Sequence, residues 1–173
     1  MGLMGKIGKC VIAAMVAAGC FTGPAAVAAE QPPKISDNWL LDAKDDTQRF
    51  KLIQQMFGGF SMSMQLVVER YDRTFDAISD GNYDLAGYHW KKIRETIELG
   101  YFRRPAREAS AVAIFLKGPW ASLNEALASQ DKVKAKERFL MARTACMACH
   151  MAEKVPFIND QPKFRRTGAF PRS

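Results

Sequence analysis

Cysteine and histidine are scarce: 173 residues hold four of the first and two of the second. Cys10 and Cys20 lie in an N-terminal stretch that reads as removable, which leaves Cys146 and Cys149. A small exported domain stapled by disulfides would keep several more. Cysteines separated by two residues close too small a loop to restrain the unfolded chain much, so their purpose is expected to be chemical. Sustained alternation of apolar and polar residues is also missing, which argues against strands. There is no internal repeat. The one long apolar run, residues 11–18, is too short and alanine-rich for a membrane span.

That run belongs to a leader. Lys6 and Lys9 precede it, and small residues ending in Ala26-Val27-Ala28-Ala29 follow. This is the layout of a secretory signal peptide, with cleavage expected near Ala28 or Ala29 and a periplasmic destination. The alternatives are an uncleaved anchor, or a lipoprotein acylated at Cys20 after Ala17-Ala18-Gly19. The net charge of +7 falls by two when Lys6 and Lys9 leave. The remaining cations are mixed with acids, apart from clusters at 103–107 and 163–166. Export argues against nucleic acid as their partner. A solvated face and a docking patch for an acidic redox protein are the two readings of those clusters.

After a linker at 30–44 containing Pro32-Pro33, the chain reads as helical from 45 to 153. Asp45 and Gln48 make a capping-box-like start. Apolar residues recur from Phe50 to Ile78 at three- and four-residue intervals, predicting one long helix that Gly58-Gly59 could kink or interrupt. A second helix is expected from Tyr83 to Gly100. A third has Pro105 in its first turn and a kink at Pro119. A fourth starts near Ser129 or Asp131 and ends before Pro156. The expected fold is all-α, an antiparallel four-helix bundle carrying its cofactor on the last helix, followed by a C-terminal tail at 154–173.

Cys146-Met147-Ala148-Cys149-His150 is the C-x-x-C-H pattern of covalent haem attachment. Positions i and i+3 of a helix share a face, so both thiols can reach one porphyrin edge. The adjacent His150 can then give an imidazole nitrogen to the iron. A thioredoxin-like redox pair would expect a βαβ context. Half a zinc site would expect two further ligands, and besides His150 only His89 is on offer.

A helical bundle ending in Ala145-Cys146-Met147-Ala148-Cys149-His150 resembles the class II cytochromes c, the cytochrome c′ group. Residues 49–56, R-F-K-L-I-Q-Q-M, are similar to that group's first helix. The resemblance covers about residues 45–152. It implies one haem c, periplasmic or membrane redox proteins as partners, and a homodimer formed through the first helices. It also implies a distal ligand from the first helix and a propionate partner at Arg49, for which an exposed salt bridge is the alternative. The chain departs from the group by continuing through Pro156-Phe157-Ile158, an ending similar to that of other small exported monohaem proteins.

The distal ligand decides function, because Met makes an electron carrier and an open position admits small gases. Met64 lies on the apolar seam and Met56 beside it, while Met62 points outward; core packing is the alternative for each. His89 is a further candidate, with a plain boundary histidine as its alternative. Trp90, Trp120 and Phe157 could shield the porphyrin. One-electron transfer in the periplasm is therefore the leading expectation, and five-coordinate binding of NO or CO the second. No distal acid–base set suggests an enzyme. A helical interaction domain without haem is the remaining reading.

Overall fold

The computed structural model describes residues 36–171, which are helical without any strand among them. The expected leader, the expected cleavage site and Cys20 lie outside the described residues. No helix among the described residues is long and apolar enough to cross a membrane.

The stripe predicted as one helix is two. Helix α1 is Asp46–Met56 and α2 is Phe60–Ser79. The break falls at Gly58, whose φ of 68° caps α1 in the left-handed region while its N–H donates to the Gln55 carbonyl. At the start of α1, the Gln48 N–H donates to Asp45 Oδ1 at 2.7 Å, and Gln48 Oε1 accepts from the Lys44 N–H. The residues assigned to a linker reach into this unit, since Arg49 Nε donates to the Leu40 carbonyl at 2.9 Å.

Helix α3, Tyr83–Tyr101, is capped by Asn82, whose Oδ1 accepts from the Leu85 N–H. Helix α4 occupies 105–128. It opens as a tight turn at Pro105–Arg107 and widens into π turns over Ala111–Trp120 before regaining α geometry. Pro119 lacks an N–H and its ring crowds the carbonyl four residues back. The widened turns accommodate it, where the sequence had suggested a kink. Helix α5, Lys132–Ala152, starts at Asp131, whose side chain accepts from the N–H groups of Val133 and Lys134.

Connections of three residues join the successive long helices. Helix α2 packs along α3, α3 against the later part of α4, α4 against α5, and α5 against α2. The shared core includes Phe75, Ile78, Trp90, Ile93, Phe115, Leu123 and Phe139. It contains a reciprocal pair: Trp90 Nε1 donates to the Trp120 carbonyl at 2.9 Å, and Trp120 Nε1 donates to the Trp90 carbonyl at 3.1 Å. Both indole N–H groups are thereby satisfied away from water.

The tail carries more structure than its weak periodicity suggested. Helix α5 closes in a Schellman turn: Val155 N–H donates to the His150 carbonyl, Lys154 N–H donates to the Met151 carbonyl, and Lys154 sits at φ 61°. The chain then doubles back along α2 and α5 through a tight turn at Pro156–Asp160 and helix α6, Pro162–Arg166. Phe164 is buried and stacks on Tyr71, while Phe170 stacks on Phe75. Arg143 on α5 gives two N–H groups to the Phe164 carbonyl. Tyr71 donates to Thr167 Oγ1 at 2.8 Å, and that hydroxyl donates in turn to the Lys163 carbonyl.

Candidate functional site

The two cysteines and His150 occupy the last two turns of α5. Cys146 and Cys149 are free thiols, one helical turn apart on the same helix. Burial pushes the Cys146 thiol up to about 12, reinforced by its neighbour Cys149. Burial also raises Cys149, against the nearby Arg107. Redox-active pairs have the opposite setting, a helix N-terminus that favours the thiolate. Here the pair stands at a C-terminus, whose dipole disfavours negative charge. A dithiol oxidoreductase does not fit.

His150 is held from behind by the tail. Its Nδ1 lies 2.7 Å from Asn159 Oδ1, and Asn159 Nδ2 donates to the Met147 carbonyl at 3.2 Å. The second bond fixes which way the amide points, so Oδ1 faces the ring and accepts from Nδ1–H. The lone pair is then on Nε2. Phe164 meets the ring edge-on, with centroids 5.7 Å apart.

The apolar core stops where the motif begins. Its last buried apolar side chains are Tyr71 at the start of its run on α2, Ile97 on α3, Ala111 on α4 and Ala145 on α5. Beyond that level, toward the 102–104 connection, only Ser63 and Gly100 are buried on the long helices. Phe60, Met64, Val67, Tyr101 and Cys146 are half-buried there. Tyr101 Oη is buried with no hydrogen-bond partner among the described residues, and Tyr101 lies within electrostatic reach of Cys149. Arg107 pairs with Glu153 across the same end. A groove of 310 Å³ between α1 and α3, lined by Phe57, Leu99, Phe102, Arg103 and Arg104 among others, opens nearby and includes neither cysteine.

Comparison of the chain with protein-family models, curated proteins and solved structures finds no match. The site therefore speaks through its own chemistry. Among the described residues no three His, Cys, Asp or Glu side chains converge as a metal-binding group. Zinc requires such convergence on one point. A porphyrin does not, because its edge and its centre are separate points served by different residues.

The remaining candidates separate clearly. Met64 is half-buried on α2 against the core, whereas Met56 is exposed at the end of α1, on the far side of the Gly58 break. Met62 is exposed, as expected. His89 is buried and its Nδ1 lies 3.0 Å from Arg70 Nη1. A guanidinium only donates, so Nδ1 accepts and Nε2 carries the proton, which leaves no lone pair for a metal. Trp90 and Trp120 are core residues, and Arg49 pairs locally with Asp46. Phe157 is 74% exposed.

The cation clusters are largely engaged within the chain. Lys163 pairs with Glu69 and Asp72, Arg166 with Asp72 and Asp76, and Arg165 with Asp160. Arg103 Nη1 donates to Ser63 Oγ at 2.7 Å. The 163–166 cluster thus fastens α6 to an acidic stripe on α2, a use that neither reading of the sequence anticipated. Asn159 was missed as well. Its only sequence signal was a polar residue among Pro156-Phe157-Ile158, and its role depends on a turn that brings it back nine positions.

Proposed function

We propose that this chain is an exported single-haem c-type cytochrome that transfers single electrons in the periplasm. In this reading α2 to α5 are the antiparallel four-helix bundle, with haem c joined to Cys146 and Cys149 and His150 as the proximal ligand. The observation that carries it is the end of the apolar core at the level of Ala145, where the motif starts. A large planar apolar group joined there would continue the core and cover Phe60, Met64, Val67 and Tyr101.

The residues present fit such a group. Cys146 and Cys149, both free thiols, would hold it, each adding its S–H across a vinyl double bond so that one C–S bond forms and the hydrogen goes to the adjacent carbon. Nε2 of His150 keeps its lone pair. Tyr101 Oη and Arg107 can meet the carboxylates of the porphyrin. In this reading Met64, on the inner face of α2, would offer its thioether to the iron, which would favour the ferrous state. Haem c, when bound, supplies the reversible ferric–ferrous couple. The chain's part is to hold both axial groups in place and exclude water. A second redox protein accepts or supplies the electron.

Expression in a host that matures c-type haem tests this. The purified protein is expected to gain the mass of one haem and show a low-spin spectrum that CO does not shift promptly. Met64→Ala is expected to turn it high-spin. A prompt CO shift in the wild type would replace electron transfer by gas binding, and a colourless protein of bare polypeptide mass would remove haem altogether.

A further inference from the structure

We propose that Asn159 is a positioning residue that fixes the tautomer and orientation of His150 and so sets the strength of the proximal iron bond. The inference rests on the haem reading above and adds a role for the tail.

The geometry has three parts. Asn159 Oδ1 stands 2.7 Å from His150 Nδ1, a short and well-placed partner for an imidazole N–H. Asn159 is itself held, because its Nδ2 donates to the Met147 carbonyl inside the motif. The segment carrying it is anchored on both sides. Before it, the Schellman turn ties Val155 to the His150 carbonyl. After it, Phe164 is buried beneath Tyr71 and Arg143 grips the Phe164 carbonyl at 2.9 and 3.1 Å. Phe164 also meets the His150 ring edge-on, which restricts its rotation.

An acceptor on Nδ1–H has two effects. It keeps the lone pair on Nε2, the nitrogen available to iron. It also makes the imidazole a better electron donor, which stabilises the ferric state. A neutral amide does this moderately, and a carboxylate at the same place would do it more strongly. The tail therefore acts as a clamp on the ligand, and Asn159 is its point of contact.

Two substitutions of the holoprotein test this, read by haem content, reduction potential and, in the Met64→Ala background, the resonance Raman iron–histidine stretch of the ferrous form. Asn159→Asp is isosteric and is expected to lower the potential and raise the stretching frequency. Asn159→Ala is expected to do the reverse. The expected size is about a tenfold change in the ferric-to-ferrous ratio at fixed poise, or about 59 mV for one electron. A purely structural role would shift both variants the same way. Asp alone carries the test should the alanine variant fail to accumulate. Fully loaded variants that keep the wild-type potential and stretch would overturn the role of Asn159 and leave the haem reading standing. A wild type without haem would overturn both.

Discussion

The two ends of the helical body are built to different standards. At the end bearing the 80–82 and 129–131 connections, Trp90 and Trp120 exchange hydrogen bonds and Phe115 meets Trp90 edge-on. Phe75 and Phe139 are buried there beneath Phe170. At the other end, Phe57, Leu99 and Phe102 are exposed, and Tyr101 Oη is buried with no hydrogen-bond partner among the described residues. The first end exposes Leu85 and Val133 but packs its aromatic core with both indole N–H groups matched. Apolar surface left in water and an unmatched buried hydroxyl both oppose folding, so the second end is where a bound group has most to contribute.

Removing the two thiols proposed to hold haem should widen that contrast most. In Cys146→Ala/Cys149→Ala, amides of residues 60–67 and 98–110 should lose protection from hydrogen exchange by orders of magnitude relative to the haem-loaded protein. Amides around Trp90 and Trp120 should change far less. Equal loss at both ends would break the comparison.

The closed end should respond in the opposite way. Trp90→Ala removes a fully buried side chain together with the indole N–H that donates to the Trp120 carbonyl, and should cost about 3–5 kcal/mol in urea unfolding. Haem attachment should leave that cost unchanged. A cost below about 1 kcal/mol would mean that this end is loosely packed.

A smaller effect sharpens the comparison through pH. His89 lies beside Trp90 on α3, and burial together with the charges of Arg70 and Arg73 holds it below the usual histidine range. The unfolded chain protonates near pH 6.5 while the folded chain stays neutral. Stability should therefore fall as pH drops through about 6.5, with a slope no steeper than about 1.4 kcal/mol per pH unit for one proton. His89→Gln, which keeps an acceptor for Arg70, should flatten the slope of stability between pH 7.5 and 5.5. An unchanged slope would assign the effect to other groups.

Helix positions were legible because they depend on neighbours in sequence. Asp45, Asn82 and Asp131 cap the helices that follow them, and Pro105 opens another. The all-helical class followed from the same periodicity. Whether Gly58-Gly59 kinked or divided the first stripe was not legible, because periodicity continues across a break that needs only one left-handed residue. Nor was the tail. Phe164, Thr167 and Phe170 have no repeating pattern of their own and are buried only because α2 and α5 leave a seam for them.

Sequence alone determined the adjacency of two thiols and an imidazole on one helix, since three and four residues of helix fix that spacing whatever surrounds it. It also determined where α1, α3, α4 and α5 start. Tertiary structure decided which nitrogen of His150 keeps its lone pair, which methionine faces inward, and that His89 is spent on Arg70. The two hydrogen bonds join groups nine and nineteen positions apart in the chain, and only packing brings such groups within hydrogen-bonding distance.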